Sequence, residues 1–226
     1  MSRKPDSSQR GATLLEVLIA GTIASIVMTM SVAMFRPAVT VTNAEQTRTA
    51  LVQSMDGALF RIQRDVRQSD PNGIFICSGA VPPTSCELAS SLTSATHTQY
   101  LAILTARSGG YGEMSWDDSG RPAWTGFQIY WLETNPNTGS QMLRYSFAPA
   151  TIQPGTDPVI LNADVVTAVA SAMTSPYAET VAQSIDDIQT LVDVSRDNVA
   201  VRLSCSATDG TAADATNVQS DTYARN

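Results

Sequence analysis

A hydrolytic triad, a zinc centre or a proton relay in this chain would have to be built on His97, because it is the only histidine. That residue sits in the Ser/Thr-rich stretch SLTSATHTQY with no nucleophile elbow beside it, and it reads as a surface or strand-end residue. The three cysteines, Cys77, Cys86 and Cys205, contain no Cys-x-x-Cys pair, so a zinc site is poorly supported. Asp117–Asp118 and Asp186–Asp187 offer oxygen ligands of the kind calcium takes, but neither pair follows EF-hand spacing, and solvated turn carboxylates account for both. Trp116, Trp124 and Trp131 lie on or near predicted strands, where core packing outranks ligand stacking. No catalytic constellation emerges. The expectation is a non-enzymatic protein with no metal, no cofactor and no small-molecule substrate.

One ionisable residue is out of place. The run from Ala12 to Phe35 is almost wholly aliphatic and holds a single charge, Glu16, before Arg36 and Pro37 close it. About 20 apolar residues rising 1.5 Å each cross a hydrocarbon core of roughly 30 Å, so this run is long enough to span a bilayer. A carboxylate inside such a span is costly and marks a functional site, with a partner to be named. An ordinary secretory signal has an apolar region of about 7 to 15 residues and a small-residue cleavage site. Ser31, Val32 and Ala33 imitate such a site, but the stretch before them is too long and Glu16 does not belong in it.

The charges around the run set its orientation. Ahead of it Arg3, Lys4 and Arg10 outweigh Asp6, and basic flanks stay cytoplasmic, which sends the C-terminal bulk across the membrane. The expected location is a single pass in the inner membrane with the head outside the cytoplasm. Lys4 is the only lysine, and the whole chain carries a formal charge of −7, so the body beyond Gly11 is strongly acidic. Such a body argues against phosphate-backbone binding as its main task, since that needs clustered Lys and Arg. At 226 residues the chain accommodates one anchoring element and one globular domain.

Beyond Pro37 the pattern becomes amphipathic. Leu51, Met55, Leu59, Ile62 and Val66 recur at three- and four-residue steps, with Arg48, Gln53, Arg61, Arg64 and Arg67 mostly on other faces. This predicts one continuing helix, kinked or loosened at Pro37 and the β-branched VTVTN that follows, and stopped by Ser69, Asp70, Pro71, Asn72 and Gly73. Strands are predicted at 73–79, 99–107, 125–134, 140–148 and 198–207 from their β-branched and aromatic content, with a hairpin around NPNTG. Residues 161–192 are ambiguous, ETVAQSIDDIQTLVDV being compatible with a short helix followed by a strand, and TDGTAADATNVQSDT is polar enough to be loose. The fold class expected is α+β: a long N-terminal helix followed by an antiparallel, β-rich head.

The residues GATLLEVLIA carry a resemblance. A short basic leader ends in Gly11, a small residue follows, then Thr13, Leu14 and Leu15, and Glu16 stands fifth after the glycine. This resembles the class III signal of type IV prepilins and type II secretion pseudopilins. The resemblance implies cleavage between Gly11 and Ala12 by a prepilin peptidase, N-methylation of Ala12, and assembly with other pilins or pseudopilins through the N-terminal helix. Ala12 departs from the phenylalanine or methionine usual at that place. RIQRDVRQSDPNG at 61–73, the sheet-rich head and the terminal Tyr223-Ala224-Arg225-Asn226 are similar to the larger minor pilins of the PilW type and the J-type pseudopilins.

By this resemblance residues 1–11 are the leader, 12–36 the membrane and assembly helix, 37–70 its amphipathic continuation and 71–226 the head. The implied role is a structural minor pilin or pseudopilin at or near the tip of a pilus or pseudopilus. An adhesin or DNA-binding head on a membrane stem is the alternative. Glu16 lies about one helical turn, roughly 6 Å, from the amine that cleavage creates. In a staggered bundle it meets the charged N-terminus of a neighbour, and a paired charge in a low dielectric costs far less than a lone one.

In an exported domain the cysteines meet an oxidising compartment. Cys77 and Cys86 flank a short loop containing Pro82 and Pro83, and closing it is feasible. Pairing of Cys205 with either of the others is the alternative, because connectivity does not follow from sequence.

The leader generates the first testable outcome. Native protein extracted from membranes begins at Ala12 when its N-terminus is sequenced by mass spectrometry; a start at Met1 or Met34 contradicts the prepilin reading.

Overall fold

The structure is a computed structural model that describes residues 13–79, 82–91, 96–110, 112–150, 152, 160–193, 198–205 and 218–224. Its first element, α1 (Leu14–Arg67), is a single helix of 54 residues. Pro37 lies inside it, and the helix continues through that point as the sequence leads one to expect. Proline removes the amide that would bond one turn back. Just beyond it, Thr40 Oγ1 donates to the Pro37 carbonyl and Thr42 Oγ1 to the Ala38 carbonyl, each at 2.8 Å. The β-branched residues that looked like looseners thus tie their hydroxyls to local carbonyls within the helix.

The chain divides into two compact units, residues 1–46 and 47–226. In the first unit every described side chain is exposed except Ser31, which is half-buried. Leu14, Ile19, Met28 and Phe35 are among the large apolar residues left open. The hydroxyls of this stretch turn inward: Thr22, Ser25, Thr29 and Ser31 each donate to a carbonyl three or four residues back, at 2.8 Å in each case. A segment that satisfies its polar groups internally and turns aliphatic side chains outward suits hydrocarbon better than water. Among the described residues, α1 is the one helix long and apolar enough to cross a membrane.

In the second unit α1 acquires an inside. Met55, Ala58, Leu59, Ile62, Asp65 and Val66 are buried, at the three- and four-residue steps of one helical face. After Arg67 the chain stops turning. The Asp70 carboxylate accepts the Asn72 amide at 2.8 Å and caps one turn of 3-10 helix, Pro71–Gly73. Gly73 is demanded by close approach, since a Cβ there would lie 2.6 Å from Leu104 Cβ.

Among the described residues ten strands follow: β1 (Ile74–Ser78), β2 (Ser85–Leu88), β3 (Thr96–Thr98), β4 (Tyr100–Thr105), β5 (Gly126–Thr134), β6 (Gln141–Pro149), β7 (Glu179–Gln183), β8 (Ile185–Asp193), β9 (Asn198–Cys205) and β10 (Val218–Ala224). They form two antiparallel sheets, ordered β2-β1-β4-β5-β6-β7 and β10-β9-β8-β3. The six-stranded sheet is covered on both faces. Ile74, Ile76, Leu101, Ile103, Tyr130, Leu143 and Tyr145 pack with the buried face of α1 and with Ile185 and Ile188 of β8. Phe75, Cys77, Tyr100, Ala102, Phe127, Ile129 and Trp131 pack with Val165, Ala168, Val169 and Ala172 of a second helix, α2 (Asn162–Met173). Because successive residues of a strand point to opposite faces, a strand buried on both sides reads as the unbroken apolar run YLAILT of β4.

The NPNTG hairpin joins β5 to β6, with Thr134 opposite Gln141 and the Gly139 amide donating to the Asn135 carbonyl at 2.8 Å. One ambiguity is resolved and one expectation is corrected. ETVAQSIDDIQTLVDV starts as strand β7 and continues as β8, broken only at Ser184, whose φ of 58° takes the chain from one sheet to the other. The helix lies earlier, over Asn162–Met173, where Val165, Ala168, Val169 and Ala172 carry the helical spacing. The stretch expected to be loose, 208–222, runs into β10 from Val218, and β10 pairs with β9 from Val218 opposite Cys205 to Ala224 opposite Val199. An edge strand is held by its backbone ladder and needs no apolar side chains to form. The earlier part of that stretch, 208–217, lies outside the described residues.

Candidate functional site

The candidate residues fall at the two ends of α1. At its start, Thr13 and Glu16 form a reciprocal cap. The Thr13 amide and hydroxyl donate to Glu16 Oε2 at 2.9 and 3.1 Å, and the Glu16 amide donates back to Thr13 Oγ1 at 3.3 Å. This is a capping box, Thr-x-x-Glu, which satisfies amides that the first turn of any helix leaves unpaired. The sequence contained the signal in TLLE, next to the leader. The box engages one carboxylate oxygen; Oε1 has no donor among the described residues. Gly11 and Ala12, the expected cleavage and methylation positions, lie outside the described residues.

At the other end, a buried polar cluster seats α1 on the sheet. Asp65 occupies a core position of the helix, and its carboxylate receives the Tyr130 hydroxyl on Oδ2 at 2.5 Å. Its other oxygen, Oδ1, takes Arg64 Nε at 2.9 Å and Arg64 Nη2 at 2.8 Å. Tyr130 lies 5.1 Å from Tyr145, ring centroid to centroid, and the Arg61 guanidinium stacks 3.7 Å over the Tyr145 ring. Arg61 also pairs with Glu179 of β7 at 3.4 Å. Residues of α1, β5, β6 and β7 are thus joined through polar groups inside an otherwise apolar interface.

Burial governs the acidities here. It pushes the Asp65 carboxyl above its ordinary range although the Tyr130 hydroxyl and Arg64 both favour the carboxylate. Tyr130 is pushed well above its ordinary value by burial and by the neighbouring Asp65 charge, so it stays a donor. Tyr145 is also raised, chiefly by burial. Sequence reasoning did not single out Asp65. The available signal was an acid at a core-facing step of the amphipathic pattern, between Ile62 and Val66.

Cys77 and Cys86 are joined by a disulfide across directly opposed positions of β1 and β2, with Cα atoms 4.0 Å apart. The bond closes a short loop, worth about 2–3 kcal/mol in the chain-entropy treatment, and ties edge strand β2 to the sheet. The Cys86 amide donates to Asn162 Oδ1 at 3.0 Å, so the start of α2 covers part of that edge. Cys205 ends β9, opposite Ile185 and Val218. His97 lies on β3 opposite Gln189. Asp117 Oδ1 shapes a turn by accepting the Ser119 and Arg121 amides at 2.9 and 2.8 Å, and Asp187 accepts from Gln189 Nε2 at 3.0 Å. No three His, Cys, Asp or Glu side chains converge as metal ligands among the described residues. Trp131 is buried and Trp124 packs partly buried against the same core, but Trp116 is 59% exposed, contrary to the core role expected of it. Comparison with protein-family models, with curated proteins and with solved structures finds no match.

The acid cluster generates a signed pH dependence. A carboxyl with a folded pKa raised above its unfolded value, about 3.9, holds its proton more tightly when folded. Its contribution to stability is complete below the unfolded pKa and is lost as pH rises through the folded one. Urea unfolding followed from pH 7 to pH 4 therefore favours wild type over Asp65→Asn increasingly as pH falls. If wild type instead loses ground to Asp65→Asn on acidification, Arg64 and Tyr130 dominate Asp65 and burial does not. At pH 7, Tyr130→Phe costs about 1–3 kcal/mol, because it leaves a buried carboxylate oxygen without its donor.

Proposed function

We propose that this chain is a structural minor pilin or pseudopilin subunit. It is inserted as a single-pass protein with its head outside the cytoplasm and cut by a prepilin peptidase between Gly11 and Ala12. It is then built into a type IV pilus or type II secretion pseudopilus, at or near the tip. The observation that carries the reading is Glu16: the lone charge of an exposed aliphatic stretch, one turn from the expected new N-terminus, with one carboxylate oxygen engaged by its own helix and the other without a donor among the described residues.

The mechanism follows from the cost of charge in an apolar medium. Cleavage creates an α-amine at Ala12, a cation, beside a helix that satisfies its other polar groups internally. In a bundle of such helices each subunit brings one cation and one carboxylate, and both are costly unless paired. The capping box fixes the direction of the Glu16 carboxylate and leaves Oε1 to accept a neighbour's amine. Only one axial offset between two helices brings that oxygen and that amine together. Pairing therefore selects a single height for the incoming subunit, while the aliphatic surface supplies contact without register. The head, stiffened by two cores and the Cys77–Cys86 bond, needs no active site in this role.

Two substitutions separate pairing from capping. Glu16→Leu removes both, whereas Glu16→Gln keeps a side chain that can cap and removes the charge. The quantity measured is the ratio of this subunit in sheared filaments to that in membranes. Both variants are exported and cut, and both fall to a small fraction of the wild-type ratio. A wild-type ratio for Glu16→Gln would reduce Glu16 to a cap, and an unchanged ratio for both would remove it from assembly.

A further inference from the structure

Between β4 and β5 the chain makes an excursion whose outer part, residues 113–121, lies outside both cores and presents an exposed tryptophan, Trp116. Paired backbone positions hold it: Arg107 stands opposite Met114, and Trp116 opposite Pro122. At its base the Thr125 hydroxyl donates to the Arg107 carbonyl at 2.7 Å, and the Ser115 amide donates to the Ala106 carbonyl at 2.7 Å. Arg107 braces it from within, donating to Gln68 Oε1 at 2.7 Å and to the Gly112 carbonyl at 3.1 Å. At the tip Asp117 gathers the Ser119 and Arg121 amides, and the Asp117 amide donates to the Arg121 carbonyl at 2.8 Å. Trp116 is thus a large aromatic group held on a fixed backbone and left open to solvent.

We propose that this excursion is a docking site for a protein segment bearing arginine or lysine, whose cation seats on the open face of Trp116. Indole is the strongest of the aromatic side chains in attracting a cation to its face. The ionised groups around it favour the same partner. Glu113 and Asp118 are exposed without a bonded partner among the described residues, and Asp117 uses only one oxygen in its turn. The cations of the excursion are Arg107, which is turned inward, and Arg121 at the tip. The carboxylates outnumber the available cation and steer positive groups toward the ring. Residues 106–125 contain no asparagine or glutamine, the amides that would orient the hydroxyls of a sugar stacked on the indole. A ring already held in place loses little freedom on binding, which is what makes rigid tryptophans effective anchors in protein interfaces. The inference concerns the head alone and stands whether or not Glu16 directs assembly.

The test uses the full chain in nonionic detergent micelles and a fluorescein-labelled nonapeptide of alternating arginine and glycine, with binding read by fluorescence anisotropy at low salt. The same peptide with citrulline in place of arginine keeps the shape and removes the charge. Saturable binding of the arginine peptide is expected, at least tenfold weaker for the citrulline peptide. Trp116→Ala weakens it threefold or more, Trp116→Phe restores part of the loss, and Asp118→Asn flattens its dependence on salt. The thermal transition of each variant is compared with wild type, and a mostly solvent-exposed ring leaves it unchanged. Absence of saturable binding overturns the proposal. So does equal affinity of wild type and Trp116→Ala, equal affinity for the two peptides, or saturable binding of maltoheptaose that Trp116→Ala abolishes while the arginine peptide does not bind.

Discussion

From Leu14 to Gln46 the chain is a helix with no interior, and the other features gain their meaning from that constraint. Aliphatic side chains on every side of a helix are costly in water, and among the described residues no part of the first compact unit covers them. The length and apolar composition of α1 are enough to cross a bilayer. The inward-turned hydroxyls of Thr22, Ser25, Thr29 and Ser31 suit an apolar setting, since each bonds to a carbonyl of its own helix. Against such a background a single carboxylate is a specific instruction, because aliphatic contact is tolerant of sliding and ion pairing is not.

The same helix takes a different surface in the second unit. There its apolar face closes one side of the six-stranded sheet, and Asp65, Tyr130, Arg61 and Tyr145 place directional contacts inside that face. Apolar packing alone would allow α1 to rotate or slip by a turn at modest cost. A carboxylate that must meet one phenol fixes both rotation and height. Glu16 and Asp65 are thus parallel solutions to one problem. Each gives register to an interface whose bulk is apolar, the first by proposal between subunits and the second by observation within the head.

The sequence disclosed these features unevenly, for physical reasons. The long helix and strands β1, β4, β5 and β6 are legible because burial on one or two faces imposes strong periodicity, as Leu51 to Val66 and YLAILT show. The β7–β8 segment is ambiguous in sequence because IDDI and TLVD alternate imperfectly, and because Ser184 breaks the strand without a glycine or proline to mark it. β10 is hard to read from sequence because its central residues, Gln219 to Thr222, are polar and carry no apolar alternation, while its backbone ladder with β9 leaves no signature in residue type. Asp65 looked like one more charge on an arginine-rich helix end, since only the position of Tyr130 on a distant strand gives it a partner. Trp116 was assigned to a core by residue type, and only the excursion that presents it shows otherwise. The capping role of Thr13 was present in TLLE but overshadowed by the charge on Glu16.

The central claim is that the Glu16 carboxylate meets a neighbouring subunit's terminal amine. Zero-length carbodiimide cross-linking of sheared filaments, grown from a mixture of isotopically light and heavy subunits and read by peptide mass spectrometry, tests it most directly. The account predicts an amide between Glu16 of one subunit and the first residue of another, recovered as mixed-isotope pairs when both come from this chain and as a heterologous peptide when the neighbour differs. Glu16 recovered unlinked, or linked only within its own chain, while exposed head carboxylates such as Glu113 react freely, would contradict it.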